Sequence, residues 1–182
     1  MPRLFTGVEL PRMTADQLSL LRGGLPEASG RVRWIDPENY HITLRFIGDI
    51  DHSDAREVVS ALDRVAGGPM TLTIDGLSSF GGNKPHSVFA RIAPTEELMD
   101  LQATHERVLQ RLGLKPEGRK FVPHVTLARL RGIQPEAVAH WLSQRGGLMR
   151  LDFEVERFVL FSSRDSVGGG PYVVEEDYPL VA

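Results

Sequence analysis

The sequence of 182 residues has no cysteine, no long apolar run and no excess of positive charge. The lack of cysteine excludes disulfide frameworks, thiol nucleophiles and cysteine-ligated zinc. No stretch approaches the roughly 20 apolar residues of a transmembrane helix, and the first residues lack the apolar core of a secretory signal. We therefore expect a protein that has no membrane partner and works in the cytoplasm.

Acidic residues outnumber basic ones, with 24 Asp and Glu against 21 Lys and Arg, and the isoelectric point is about 6.1. Domains that coat long nucleic acids usually have an isoelectric point above about 9, so the charge balance argues against this class of protein. A small phosphorylated end is still an acceptable ligand. Basic residues cluster just before and after His124: Arg111, Lys115, Arg119, Lys120, Arg129 and Arg131. This cluster is either a solvated surface or a funnel that attracts an anionic substrate.

Several catalytic signatures are also missing. The chain has no P-loop and no GxSxG nucleophile motif, so kinase and serine-hydrolase chemistry have no support. No pair of histidines has the spacing of a metal site, and no carboxylate cluster accompanies the histidines. We therefore expect chemistry that uses neither a metal nor a cofactor.

A repeated tetrapeptide is the most informative feature that is present. His41-Ile42-Thr43-Leu44 returns 83 residues later as His124-Val125-Thr126-Leu127, whereas a shuffled chain of this composition would contain roughly 0.03 copies of His-x-Thr-Leu. Both copies lie in apolar runs typical of β-strands, where alternate side chains share a face. Each strand should thus present an imidazole beside a hydroxyl, and two such strands would form a cleft.

Two imidazoles and two hydroxyls suit in-line displacement at phosphorus. A histidine titrates near pH 6.5, so one ring can accept a proton from water while the other protonates the departing oxygen. The Thr43 and Thr126 hydroxyls would hold the non-bridging oxygens in the transition state. The symmetry of the motif does not assign the acid and base roles to His41 and His124.

Further candidates flank the motifs. Strict alternation places Arg45 on the face of His41 and Thr43, as either a phosphate contact or an exposed residue at the rim. The same rule places Arg129 on the opposite face from His124 unless a β-bulge intervenes. Phe5 and Phe46 are either core residues or walls for a nucleobase, and His86 lies on a loop without an assigned role.

The order of elements favours an α+β fold. Short loops between strands suit antiparallel pairing, and each motif strand is followed by a helix and further strands. This order predicts two pseudo-symmetric lobes whose antiparallel sheets line a central cleft, with helices outside. We expect residues 1–182 to form a single bilobal domain and the protein to be a monomer.

Local patterns predict individual boundaries. A capping-box pattern at Thr14–Gln17 predicts a helix from Ala15, and Thr95 is a candidate cap for a later helix. A single strand is expected over Phe153–Ser162. The glycines at 168–170 indicate a hairpin or a flexible connection.

At the two His-x-Thr motifs the chain resembles the 2H phosphoesterase superfamily, and within it the RNA 2′,3′-cyclic phosphodiesterases, also called 2′-5′ RNA ligases. The resemblance extends from Arg3–Pro11 through both motifs to Leu160–Ser163 and Gly169–Tyr172. It implies hydrolysis of a 2′,3′-cyclic phosphate at an RNA end to a 2′-phosphate, with His41 as proton donor and His124 as acceptor. It also implies a reverse reaction that forms a 2′-5′ bond, and a place for Arg129 near the phosphate.

Two alternatives remain open at this point. A phosphodiesterase for small cyclic nucleotides would keep the same four motif residues, and substrate length would distinguish it. A non-catalytic module that binds RNA ends would not need two proton-transfer groups.

Overall fold

A computed structural model describes residues 3–28, 30–147, 150–163 and 170–182. In these ranges the chain forms nine strands, four α-helices and one 3₁₀ turn at Pro37–Asn39. The strands are β1 (Arg3–Glu9), β2 (Arg31–Trp34), β3 (His41–Asp49), β4 (Met70–Phe80), β5 (Ser87–Ile92), β6 (His124–Arg131), β7 (Leu151–Val155), β8 (Arg157–Ser163) and β9 (Tyr172–Pro179). The helices are α1 (Arg12–Ser19), α2 (His52–Leu62), α3 (Glu96–Arg111) and α4 (Pro135–Arg145).

The strands pair in the order β7-β4-β5-β6-β3-β1-β8-β9, with β2 added to β6. The pairings are antiparallel, and β3 and β6 are joined through the register pair Ile42 and Val125. We call β3, β1, β8 and β9 the first half-sheet, and β7, β4, β5, β6 and β2 the second half-sheet. The predicted α+β class is confirmed, and the two motif strands are neighbours where the half-sheets meet.

The core lies on the face of the sheet that the motif histidines avoid. Ile42 and Val125 are fully buried there, and Leu44 and Leu127 join the same cluster. The helices contribute buried apolar side chains to it: Leu18, Leu62, Leu98, Leu109 and Trp141. Because strand side chains alternate, burial of these residues directs His41, Thr43, His124 and Thr126 to the other face.

Several predicted boundaries are confirmed and others are wrong. Thr95 caps α3 by accepting a hydrogen bond from the Leu98 amide at 3.2 Å. The capping box at Thr14 is wrong, because α1 begins at Arg12 after Pro11 and Thr14 is buried in its first turn. An N-cap must precede the helix, so Thr14 cannot cap it.

The strand predicted over Phe153–Ser162 is two strands, separated at Glu156. β7 pairs with β4 in the second half-sheet, whereas β8 pairs with β1 in the first half-sheet. The chain therefore crosses between half-sheets at Glu156. In the glycine loop, Gly168 and Gly169 lie outside the described residues.

None of the helices in the described ranges combines the length and the apolar character needed to cross a membrane.

Candidate active site

A cleft of about 750 Å³ opens at the junction of the half-sheets, a volume in the range of small-molecule sites. Both motifs reach it, because His41, Thr43, His124 and Thr126 all line its wall. The structure thus brings together the four residues that the repeated tetrapeptide singled out.

The two histidines are anchored in the same way. His41 Nδ1 lies 2.9 Å from the Asn39 carbonyl oxygen, and His124 Nδ1 lies 2.6 Å from the Val122 carbonyl oxygen. A carbonyl oxygen only accepts, so each Nδ1 carries the hydrogen and each neutral ring has a basic Nε2. Both imidazoles are therefore held in the tautomer in which Nε2 can take a proton.

The hydroxyl of Thr43 lies 3.0 Å from His41 Nε2. With Nδ1 protonated, the neutral Nε2 accepts and the hydroxyl donates. An imidazole and a hydroxyl on alternate positions of one strand are thereby within hydrogen-bonding distance of each other, as the strand geometry predicts.

Aromatic rings pack against each imidazole. The His41 ring contacts Phe5, Phe161 and Tyr172, with centroids 5.1, 5.3 and 4.9 Å away. The His124 ring contacts Phe80 at 4.9 Å and Phe89 at 5.1 Å. These contacts restrict ring rotation and remove water from one side of each imidazole.

Burial lowers the pKa of both histidines. The pKa of His41 falls to about 4, mainly by desolvation and further by the charges of His124 and Arg129, while the hydrogen bond to Asn39 opposes the shift. Desolvation and Arg129 also lower the pKa of His124, against its hydrogen bond to Val122. Without a ligand, both rings therefore favour the neutral form near pH 7.

Arg129 faces the cleft because β6 contains a β-bulge. Thr126 pairs with Phe89 and Arg129 pairs with Ser87, so one residue more lies on β6 than on β5 between these pairs. The extra residue reverses the alternation and returns Arg129 to the face of Thr126. Arg129 lines the cleft, and its charge influences both histidines.

A bulge of the same kind corrects the prediction for Arg45. In β3, Thr43 pairs with Gly7, whereas Arg45 pairs with Thr6, again with one extra residue between. Arg45 is therefore turned to the face of Thr6, which hydrogen-bonds to His105 of α3. The prediction that Arg45 shares the backbone face of His41 and Thr43 is wrong, because a bulge breaks the alternation on which it depended. Arg45 nevertheless lines the same cleft.

The Arg45 guanidinium is already engaged at the edge of the cleft. It donates to the Glu106 carboxylate and to the backbone carbonyls of Phe46 and Lys115. Glu106 also accepts from the Glu117 amide at 2.9 Å. This arrangement ties β3 to the segment at 115–117, and the geometry favours a positioning role over contact with a substrate.

Phe5 and Phe46 have different environments. Phe5 is 2% exposed and packs with Val159 and Phe161, so it is a core residue that supports the His41 ring. Phe46 is 49% exposed, lines the cleft and lies 5.6 Å from the Phe5 ring. Only Phe46 of the two therefore offers an open aromatic surface.

Sequence reasoning assigned no role in the site to several residues that line the cleft. Phe80, His86 and Tyr172 come from β4, a loop and β9, and no local motif connects them with the histidines. The basic cluster was an ambiguous signal. Of its members, Arg119, Lys120 and Arg129 line the cleft, which favours the funnel for these three.

Within the part of the chain that the structure describes, no group of three histidine or acidic side chains could hold a metal ion.

Comparison with known proteins connects this site to a family. A model of the LigT-like phosphoesterases matches residues 8–90 and 92–172. The RNA 2′,3′-cyclic phosphodiesterase of Thermotoga maritima is 28% identical over 177 residues, which cover 94% of this chain and 92% of the relative. The enzyme of the same name from Methanothermobacter thermautotrophicus is 29% identical over 133 residues, covering 71% and 72%.

Solved structures agree at the level of the fold. LigT of E. coli in complex with 3′-AMP superimposes with a TM-score of 0.81 over the whole of both chains, at 23% identity. A protein of Thermus thermophilus gives a TM-score of 0.78 at 24% identity, covering 98% of this chain and 97% of that one. At these identities the likeness establishes the fold alone.

Proposed function

The chain belongs to the LigT-like phosphoesterase family, and on that premise we propose that it hydrolyses the 2′,3′-cyclic phosphate at an RNA end to a 2′-phosphate. One observation carries the proposal: two imidazoles, anchored through Nδ1 by the same kind of backbone contact, line one cleft. The relatives named RNA 2′,3′-cyclic phosphodiesterase support this activity.

The two histidines divide the proton transfers. His124 accepts a proton from the attacking water, whose oxygen forms a bond to phosphorus. The bond from phosphorus to O3′ breaks on the opposite side, and His41 supplies a proton to O3′. The phosphate remains on O2′, and we assign these roles on the family pattern.

His41 must carry a proton before it can act as the acid. Desolvation holds its pKa at about 4 in the free protein. A bound phosphodiester brings a negative charge next to the ring, and an opposite charge within a few ångströms raises the pKa of an imidazole. Substrate binding therefore shifts His41 toward the charged form that the acid role needs.

Thr43, Thr126 and Arg129 are proposed to hold the non-bridging oxygens. All three line the cleft beside the histidines. Negative charge on those oxygens grows during displacement, so donors held in place stabilise the transition state more than the ground state. Phe46 is the candidate surface for the base of the terminal nucleotide, because it is exposed in the cleft.

The same chemistry would run in reverse with a 5′-hydroxyl in place of water, and it would then form a 2′-5′ bond. LigT of E. coli has been crystallised with 3′-AMP, ATP and NADP⁺, which supports nucleotides as a class of ligand for this chain. We also propose that residues 1–182 act as one bilobal unit, because each half-sheet supplies one histidine. Action as a monomer in the cytoplasm stays a prediction.

The test uses a short RNA that ends in a 2′,3′-cyclic phosphate, incubated with purified protein in EDTA, followed by identification of the product isomer. A 2′-phosphate that the His41→Ala and His124→Ala variants do not form supports the proposal. An unchanged RNA end contradicts it, and the same assay with cyclic mononucleotides then separates a small-nucleotide enzyme from a binding module.

A further inference from the structure

A row of aromatic rings leads away from His124 on the second half-sheet. The Phe80 ring is nearly perpendicular to the His124 ring, with centroids 4.9 Å apart. Phe80 stacks on Phe89 at 4.2 Å, and His86 stacks on Phe80 at 6.1 Å with an angle of 19° between the planes. The row therefore begins beside a proposed proton-transfer group and ends at an imidazole outside both motifs.

The backbone holds His86 in this position. Its amide donates to the Phe80 carbonyl oxygen at 2.9 Å, and its carbonyl accepts from the Leu130 amide at 2.9 Å. Gly81, at a φ of +107°, lies against the imidazole, where a Cβ would be 2.9 Å from His86 Cδ2. The ring is thus placed by its local structure, although the residue is exposed.

His86 lines the cleft, but the proposed hydrolysis gives it no task. A planar ring that is packed on one aromatic neighbour and exposed in a cleft has the form of a stacking surface for a nucleobase. His86 lies on the side of the cleft that His124 occupies. Because His124 is the proposed acceptor of the proton from the attacking group, a base stacked there would belong to the attacking nucleoside.

We propose that Phe80 and His86 form a subsite for the base of a second nucleoside, the one whose 5′-oxygen occupies the place of the attacking water. This inference rests on the proposed function and extends it to a substrate with a nucleoside on each side of the phosphate. Phe46 on the first half-sheet serves the nucleoside that carries the cyclic phosphate.

Ligation at this subsite forms one bond to phosphorus and breaks another, and each histidine transfers one proton. The 5′-hydroxyl oxygen bonds to the phosphorus of the cyclic phosphate, and its proton passes to His124 Nε2. The bond from phosphorus to O3′ breaks, and O3′ takes a proton from His41. The product is a 2′-5′ linked dinucleotide with a free 3′-hydroxyl, and the reverse steps cleave it.

The test compares two unreactive diesters. One is 3′-deoxyadenylyl-(2′→5′)-adenosine, which lacks the O3′ needed for cleavage. The other is 3′-deoxyadenosine 2′-methyl phosphate, in which a methyl group replaces the second nucleoside at the same charge. The ratio of their dissociation constants, measured by calorimetry, isolates the contribution of the second nucleoside.

We expect His86→Ala to reduce the preference for the dinucleotide about fivefold, since removal of an aromatic partner from a stacked base has an effect of this order. His86→Phe should keep the preference, because it retains a stacking ring without the ring nitrogens. His140→Ala, on the exposed surface of α4, is the matched control and should behave as the wild type.

An unchanged ratio in His86→Ala overturns the proposal, and so does a ratio in His86→Phe as low as that of the alanine variant. Because neither ligand reacts, the measurement does not depend on turnover. If the wild type hydrolyses the cyclic RNA end but His86→Ala leaves the ratio of dissociation constants unchanged, only the subsite is contradicted. If His86→Ala lowers the ratio as expected but the wild type does not hydrolyse the RNA end, the subsite is supported and the proposed function is contradicted.

Discussion

Phe46 and Arg129 occupy the same position in the two motif strands. Each is the third residue after the motif threonine and follows a β-bulge that returns it to the face of the histidine. The two strands are alike in the burial of their first six residues. The pseudo-symmetry of the backbone therefore holds an asymmetric pair, an exposed aromatic ring on one side and a cation on the other.

Arg129→Ala should affect turnover more than Phe46→Ala. We expect a loss of about 10²–10³ in kcat for Arg129→Ala, the range for removal of one donor to a transition-state oxyanion. Phe46→Ala should mainly raise KM. Steady-state kinetics on a cyclic-phosphate RNA end would measure both, and equal effects on kcat would contradict the asymmetry.

Arg129→Ala should also move the pH profile. Its charge lowers the pKa of both His41 and His124, so removal of the charge raises both pKa values. The limbs of the profile of kcat/KM should shift to higher pH. Arg129→Lys keeps the charge and serves as the control, whose limbs should stay near those of the wild type.

Alanine at either motif histidine should remove most of the activity. We expect losses of about 10²–10⁴ for His41→Ala and His124→Ala, as is usual for a general acid or base. Thr43→Ala and Thr126→Ala should lose less, because a hydroxyl is one of several donors to the phosphate. Circular dichroism would check folding, and near-normal turnover in either histidine variant would contradict the paired mechanism.

Ligand binding should be coupled to proton uptake by His41. The free pKa is about 4, and an anionic ligand raises it, so the complex holds more protons than the free protein and affinity increases as the pH falls. Calorimetry with the unreactive dinucleotide, in buffers of different ionisation enthalpy at about pH 6, would count the protons. Uptake should disappear in His41→Gln, and uptake that persists there would assign the proton to another group.

The β-bulges set the limit of what the sequence could predict about this site, because strand alternation assigns side-chain faces correctly only up to a bulge. Alternation correctly placed His41, Thr43, His124 and Thr126 on one side, because each pair is separated by a single buried residue. It was wrong for Arg45 beyond a bulge, since a bulge depends on pairing with a neighbouring strand and has no local signal in this chain. Phe80 and His86 had no assigned role for a related reason, because only the pairing of β4, β5 and β6 brings them to His124.

The ion pair of Arg45 and Glu106 should stabilise the fold more than an exposed pair does. Their side chains are 7% and 18% exposed. Burial raises the pKa of Glu106, but hydrogen bonds from Arg45, Gln110 and the Glu117 amide produce a net lowering. Glu106→Gln leaves a buried guanidinium without its counter-ion, and we expect a loss of about 3 kcal/mol in the free energy of unfolding by urea titration.

The pair of Arg91 and Asp75 is the control. Its side chains are 52% and 36% exposed, so Asp75→Asn should cost less than about 1 kcal/mol. Equal losses in the free energy of unfolding for Glu106→Gln and Asp75→Asn would show that burial does not determine how much each ion pair stabilises the fold.

Acid should destabilise the protein through His105. This side chain is fully buried, its Nδ1 lies 2.9 Å from the Thr6 hydroxyl, and its ring packs at 4.5 Å from Phe158. Its Nε2 is buried without a hydrogen-bond partner among the described residues. Desolvation lowers the pKa of His105 to about 3, because a charged imidazole would have no compensating acceptor there.

The sign of the pH effect follows from the lowered pKa. Between about pH 6.5 and the folded pKa, the unfolded chain binds a proton that folded His105 does not, so the free energy of unfolding falls as the pH falls. From about pH 7.5 to about pH 5 we expect His105 to account for a loss of about 2 kcal/mol. Urea titrations of the wild type and His105→Gln at both pH values would measure it, since glutamine retains hydrogen-bonding groups without titrating. The variant should be less stable at neutral pH but should lose less on acidification, and parallel losses in the two proteins would rule out His105 as the source.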